Sequence, residues 1–236
     1  MAESNHPHQG QPVLTAGAPL NAEADAYAPR LRPTSGDAGL PQVAQAAMVM
    51  AHGRGATAES ILELARELDQ PDFAYLAPPA TGHSWYPNSF LAPIPSNEPW
   101  LSSALAFIED VLARVMAAGI PPERTMLLGF SQGACLSLEF TARHARRYGG
   151  VVGLSGGLIG PDGAPRDYAG SLAGTPVFLG CSDVDPHIPK GRVHHTAEVL
   201  RRLGGDVTER LYPGMGHTIN HDEIKFVRGM MAALVA

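Results

Sequence analysis

The stretch Arg124-Thr125-Met126-Leu127-Leu128-Gly129-Phe130-Ser131-Gln132-Gly133-Ala134-Cys135 decides the fold. Residues 124–130 are an apolar run of strand length, and the segment after Ser131 reads as an amphipathic helix to Arg147. Between them stands Gly129-x-Ser131-x-Gly133, a serine on a sharp strand-to-helix turn. Such a turn strains the serine backbone and pushes the hydroxyl out of the sheet. Side chains two residues before and after would collide across it, so both positions want glycine. The helix that follows aims free N–H groups and a positive dipole end at the same spot. The pattern occurs twice, because Gly153-Leu154-Ser155-Gly156-Gly157 also matches. After Ser155, however, Gly156, Gly157, Gly160, Pro161, Gly163 and Pro165 make a loop and preclude a helix. Ser131 is therefore the candidate nucleophile and Ser155 a turn residue at a strand end.

Outward from this turn, short apolar runs alternate with helical patterns. Ala46–Ala51 reads as a buried parallel strand, 58–68 as a helix, and 73–76 as a strand. A proline- and aromatic-rich loop spans 77–99, and a helix runs from 97–99 to about Ala118. Residues 150–154 and 176–181 read as strands, 194–203 as a helix, 207–212 as a strand and 220–236 as a last helix. The alternation predicts an α/β fold, a mostly parallel central sheet with helices on both faces. We expect one domain over 46–236, preceded over 1–45 by a polar tail (1–11), a possible edge strand at 12–15 and a loop insertion at 21–42. His6 and His8 are expected to lie in that tail by chance. In parallel sheets ligands bind at the carboxyl ends of the strands. Ser131, His52-Gly53, Asp185 and His217 each follow a predicted strand.

Bulk properties narrow the function classes. The 236 residues are 44% hydrophobic and 17% charged, with 17 Lys+Arg against 23 Asp+Glu. A mildly acidic chain without a basic run predicts no nucleic-acid partner. Two cysteines, Cys135 and Cys181, make no disulfide framework and are expected as buried free thiols. No segment has the length of a membrane span and no signal peptide is evident, so the expected setting is cytoplasmic, without membrane insertion.

A serine hydroxyl needs a base within hydrogen-bond reach, and the base needs a carboxylate to fix its tautomer. Among 10 histidines, His217 stands in a Gly-x-Gly-His turn after the last strand and is the candidate base; His221 is its rival. Asp185, which precedes the turn-fixing Pro186 with Pro189 beyond it, is the candidate acid, with Asp183 as fallback. A tetrahedral oxyanion would be stabilised by two backbone N–H groups, those of Gln132 and of Arg54 in the His52-Gly53-Arg54-Gly55 loop. His52 is expected to bond the loop backbone. The 77–99 loop should overhang the serine. Trp85, Tyr86, Phe90 and Leu91 are its candidate substrate-binding residues, with anchoring of the loop as the alternative for Trp85.

Taken together, His52-Gly-Arg-Gly-Ala, Ser84-Trp-Tyr-Pro, Gly129-Phe-Ser-Gln-Gly-Ala, Asp185-Pro-His-Ile-Pro189 and Gly214-Met-Gly-His217 resemble the phospholipase/carboxylesterase branch of the α/β-hydrolases, relatives of acyl-protein thioesterases. The resemblance covers about residue 45 to the C-terminus. It implies an α/β-hydrolase fold with no large cap domain and a serine hydrolase cleaving carboxylic esters or thioesters. Our expectation is a small-molecule ester of short or medium acyl chain, no cofactor, no metal, and a homodimer as the candidate assembly, the sequence leaving the oligomeric state open. Three other readings stand beside it: a dienelactone-type lactone hydrolase, a non-catalytic binding protein on the same fold, and a metal hydrolase using His187, His194 and His195.

Overall fold

The computed structural model describes residues 6–20, 30–31 and 43–236. Its strands are β1 (Leu14–Gly17), β2 (Arg30–Leu31), β3 (Ala46–Ala51), β4 (Phe73–Ala77), β5 (Thr125–Phe130), β6 (Gly150–Leu154), β7 (Pro176–Ser182) and β8 (Asp206–Tyr212). Its helices are α1 (Ala58–Leu68), α2 (Trp100–Ala117), α3 (Gln132–Arg143), α4 (Lys190–Arg202) and α5 (His221–Val235). The eight strands form one sheet in the order β2-β1-β4-β3-β5-β6-β7-β8. Every pairing is parallel except β1 with β4.

The period of two along β3 shows how the layers arise. Met48 and Met50 point to one face, where they join Leu62 and Leu68 of α1 and Val227 and Met231 of α5. Ala47 and Val49 point to the other, with Leu101 and Ile108 of α2, Leu136 and Leu138 of α3, and Val193 and Leu200 of α4. Both faces are dry, which is why β3, β5 and β6 read as continuous apolar runs rather than as alternating ones. The chain is thus a doubly covered, mostly parallel sheet. Between β4 and α2 lie only two short 3-10 turns, Thr81–His83 and Ile94–Asn97.

Three expectations need correction. The helix after β5 stops at Arg143, not Arg147; the Tyr148 hydroxyl donates to the His144 carbonyl at 2.8 Å and turns the chain into β6. Helix α4 begins at Lys190, four residues before the predicted start. Gly191 hid the first turn in the sequence, while Pro189 sets its entry at φ −60°. The N-terminal segment departs most. Residues 6–11, read as mobile tail, are fixed on the domain, and His8 is wholly buried. The expected edge strand lies at 14–17 and is flanked by β2, so it is not the edge. β2 itself falls inside the predicted 21–42 loop; 1–5, 21–29 and 32–42 lie outside the described residues.

Candidate active site

Ser131 sits between β5 and α3 with φ 55° and ψ −119°, a conformation that an L-residue adopts only under constraint. Its N–H donates to the Leu154 carbonyl at 2.9 Å, so the sheet itself holds the turn. The two flanking glycines are required for different reasons. A Cβ on Gly129 would stand 2.2 Å from the Gly133 carbonyl oxygen, the collision across the turn that the motif implies. A Cβ on Gly133 would instead meet the Ala51 carbonyl oxygen at 2.1 Å, a neighbouring strand rather than the other arm of the turn. Gly133 therefore lets α3 start directly against the carboxyl end of β3. The second match of the pattern ends in a buried Ser155 at the end of β6, followed by loop, as expected.

The hydroxyl is not alone. Ser131 Oγ donates to His217 Nε2 at 2.8 Å, and His217 Nδ1–H donates to Asp185 Oδ2 at 2.7 Å. Asp185 has no exposed side-chain surface, and its other oxygen accepts from the N–H groups of His187 and Ile188 at 2.8 and 3.0 Å. Burial pushes the Asp185 carboxyl up. The hydrogen bonds from His217 and the two backbone N–H groups outweigh it and hold the group below its ordinary value. The loops carrying acid and base are tied side by side. Asp183 N–H donates to the Tyr212 carbonyl at 3.2 Å, Asp183 Oδ1 accepts from Gly214 N–H at 2.8 Å, and the Ser182 hydroxyl donates to the Met215 carbonyl. Asp183, the fallback acid, thus serves the loop backbone. The rival base His221 is the exposed first residue of α5.

A cavity of about 450 Å³ opens over Ser131, lined by Arg54, Tyr86, Pro87, Asn88, Ser89, Phe90, Gln132, Cys135, His187, Ile188 and His217. Two of the four aromatic-loop candidates, Tyr86 and Phe90, line it. Trp85 does not: its indole is fully buried and Nε1–H donates to the His52 carbonyl at 2.8 Å, so it anchors the loop. Leu91 also falls outside the cavity, in a separate depression with Pro161 and Arg192. Cys135 and His187 line the cavity without having been expected there. Cys135 was findable, since it lies one helical turn after Ser131 and so shares its face of α3. Burial pushes its thiol up to about 12, and that of Cys181 likewise, so both stay protonated at neutral pH.

The aromatic loop is pinned from four distant segments. Gln132 reaches it with its side chain: Oε1 accepts from Trp85 N–H at 3.0 Å and Nε2 donates to the Tyr86 carbonyl at 2.8 Å. Arg54 donates to the carbonyls of Tyr86, Pro87 and Asn88. Gly160 N–H donates to the Phe90 carbonyl at 2.7 Å, while buried Arg192 donates to the Gly160 carbonyl. The fourth anchor is a pair of histidines flanking Trp85, with ring centroids 5.6 Å (His8) and 5.0 Å (His52) from the indole. His52 Nδ1 faces the Gly53 carbonyl at 2.8 Å and must donate to it, which leaves Nε2 to accept from Ala80 N–H at 3.1 Å. His8 Nε2 donates to the Trp85 carbonyl at 2.9 Å and Nδ1 accepts from Thr81 N–H at 3.2 Å. Burial lowers both imidazoles below their ordinary value, the neutral form being the one these bonds require.

No group of three His, Cys, Asp or Glu side chains able to hold a metal ion comes together among the described residues. His194 lies on α4 paired with Glu209, whereas His187 stands edge-on to His217 with ring centroids 4.8 Å apart. Nor is any helix among the described residues long and apolar enough to cross a membrane.

With this geometry in place, the relatives are informative. A crystal structure of a phospholipase/carboxylesterase from Dyadobacter fermentans superposes with a TM-score of 0.82 at 40% identity, covering 94% of this chain and 96% of that one. Acyl-protein thioesterase 1 of Gibberella zeae is 33% identical over 134 residues, which is 53% of this chain and 54% of that protein. Its counterpart in Saccharomyces cerevisiae is 31% identical over 126 residues, 52% of this chain and 55% of that protein. The chain thus spans about half the length of the curated relatives it matches. The phospholipase/carboxylesterase family model matches residues 41–235, from just before β3 to the end of α5, taking in every strand end that faces the cavity. A match of that extent, on a doubly covered parallel sheet without a large cap, places the chain in the phospholipase/carboxylesterase family of the α/β-hydrolases.

Proposed function

We propose that the chain is a serine hydrolase that cleaves carboxylic esters or thioesters of short to medium acyl chains through an acyl-enzyme. The observation that carries this reading is the unbroken hydrogen-bond line Ser131–His217–Asp185 at the floor of the cavity. His217 Nε2 takes the Ser131 proton as Oγ attacks the acyl carbon. The imidazolium formed is stabilised by Asp185, whose carboxylate stays charged because His217 and two backbone N–H groups bond it. The tetrahedral oxyanion is held by the N–H of Gln132, the first residue of α3 and so an orphan donor of that helix, and by the N–H of Arg54. Collapse expels the alcohol or thiol, which receives the proton from His217. Water then attacks the acyl-enzyme by the same route, with His217 again as base, and releases the acid.

Tyr86, Phe90 and Ile188 give the cavity its apolar wall, and its volume suits an acyl chain of a few carbons to about ten. The names of the fungal relatives bring thioesters into the range. The test is a series of p-nitrophenyl esters of increasing chain length together with an acyl thioester. Turnover falling off beyond medium length is expected. A folded protein that turns over none of them above buffer would overturn the reading.

A further inference from the structure

We propose that the cavity is built for esters or thioesters that carry an anionic group, with Arg54 as its counter-charge. The inference rests on the hydrolase reading above and deepens it. Arg54 lines the same cavity as Ser131. Its guanidinium donates to the Pro87 carbonyl at 2.9 Å, to the Tyr86 carbonyl at 2.9 Å and to the Asn88 carbonyl at 2.7 Å. Its carbon stands 6.0 Å from the centre of the Tyr86 ring. All of these partners are neutral. They fix where the cation points and leave its unit charge in place. Among the described residues Arg54 has no acidic partner.

Among the described residues no Asp or Glu lines the cavity. The nearest carboxylate in the site, Asp185, is buried behind His217 and fully bonded. The remaining ionisable groups of the lining are Cys135 and Tyr86, both kept neutral by burial, and two imidazoles, His187 and His217. The mouth of the site is therefore a positive spot on a chain of formal charge −6. A guanidinium has five N–H donors in a rigid fork. Three bonds to carbonyls leave two donors for a carboxylate or phosphate oxygen. A clamp alone would need no charge, whereas a cation held rigid and unneutralised at a cavity mouth attracts anions.

Two matched pairs of substrates test this, one for each side of the scissile bond. The acyl pair is p-nitrophenyl hexanoate against mono-p-nitrophenyl adipate. The leaving-group pair is methyl 4-acetoxybenzoate against 4-acetoxybenzoate. We expect kcat/KM to favour the anion about threefold to fivefold in at least one pair, the range for a solvent-exposed ion pair. The preference should shrink as NaCl is raised, persist in Arg54→Lys and vanish in Arg54→Met. Because the Arg54 side chain also clamps the loop, both variants lower the absolute rates; the ratio within a pair isolates the charge. Equal rates within both pairs, or an Arg54→Met variant that lowers both members alike, would leave Arg54 as a clamp only and overturn the proposal while the hydrolase reading stands. Absence of turnover for every ester, neutral or anionic, by the folded protein would remove both.

Discussion

The elbow at Ser131 and the aromatic loop at 84–91 form opposite walls of one cavity, yet they are held in contrasting ways. The elbow is fixed by backbone against backbone: β5 hydrogen-bonded to β6, α3 starting against β3, and two glycines where no Cβ fits. The aromatic loop has no strand or α-helix between Ala77 and Trp100 and is fixed chiefly by side-chain bonds: His8, Arg54 and Gln132 reach its backbone, the Trp85 indole reaches the His52 carbonyl, and one backbone bond from Gly160 holds Phe90. The first arrangement tolerates no adjustment. The second distributes its hold over many bonds, so each can be altered with a graded effect. A reaction common to a family needs the former, and a substrate preference that varies between members is accommodated by the latter.

The contrast can be broken most forcefully at Gly133. Gly133→Ala puts a methyl 2.1 Å from the Ala51 carbonyl oxygen, and neither partner can move without displacing β3 or α3. We expect a loss of more than about 4 kcal/mol in denaturant unfolding, or no soluble protein. Gly53→Ala is the control: its Cβ would meet the Phe130 and Ser131 side chains at 3.4 Å and the Phe130 carbonyl oxygen at 3.6 Å, ordinary contact distances, and unfolding should shift by less than about 1 kcal/mol. Similar penalties for the two would mean that the elbow is not the rigid wall described here.

Gln132→Leu attacks the other wall from within the first. It keeps the backbone N–H proposed for the oxyanion and leaves Trp85 N–H without its partner in a buried place, while the Tyr86 carbonyl loses one of three donors and keeps those from Arg54 and Ser84. The orphaned N–H costs about 1–3 kcal/mol. We expect KM for medium-chain esters to rise more than tenfold with a smaller fall in kcat, measured by steady-state kinetics on the p-nitrophenyl series.

His8→Ala should have a milder effect, about 1–2 kcal/mol of stability and a KM increase of a few-fold, because His52 still holds Trp85 from the other side. His8→Gln, which can both donate and accept, should recover part of it. The pair also sets an acid limit. Both imidazoles are lowered from an ordinary 6.5, so the unfolded chain binds more protons than the folded one once pH falls below that value. Their contribution is complete above 6.5 and is lost as pH falls through the folded values. Thermal melts should show Tm declining on acidification below about 6.5, less steeply in His8→Gln.

The smallest effect has the opposite sign. Glu223 closes the N-terminal cap of α5 by accepting from Asn220 N–H at 2.8 Å, and its other oxygen is buried against Gly180 without a partner. Burial raises its carboxyl from 4.5 to about 7. A raised carboxyl favours folding at low pH, so its contribution is complete below 4.5 and lost as pH climbs through about 7. Glu223→Gln should remove that slope, and melts between pH 5 and pH 8 would expose it.

The same contrast explains what could be read from the sequence. Ser131, Asp185 and His217 were legible because each is announced locally, by a glycine-flanked turn or a proline-bounded loop after an apolar run. The sheet was legible for the same reason, since strands buried on both faces show as unbroken runs. The loop's anchors were not. Gln132 meets Trp85 across 47 residues and His8 meets it across 77, and neither pairing leaves a period or a motif in the chain. Leu91 passed for a cavity residue, and Trp85 stayed open between cavity and anchor, because an aromatic-rich loop says nothing of which side chains face the protein. His8 passed for tail because polar neighbours conceal a single buried residue.

The central claim is that Ser131 is activated by His217 and Asp185, and covalent labelling with a fluorophosphonate read by intact mass tests it most directly. One adduct per chain, located on Ser131, is the predicted result. It should be absent in Ser131→Ala and slowed about a thousandfold or more in a folded His217→Gln variant. It should persist in His8→Ala and Gln132→Leu, whose changes leave the three hydrogen-bonded side chains in place. A folded wild-type protein that takes no label, or a Ser131→Ala variant that still takes one, would contradict the account.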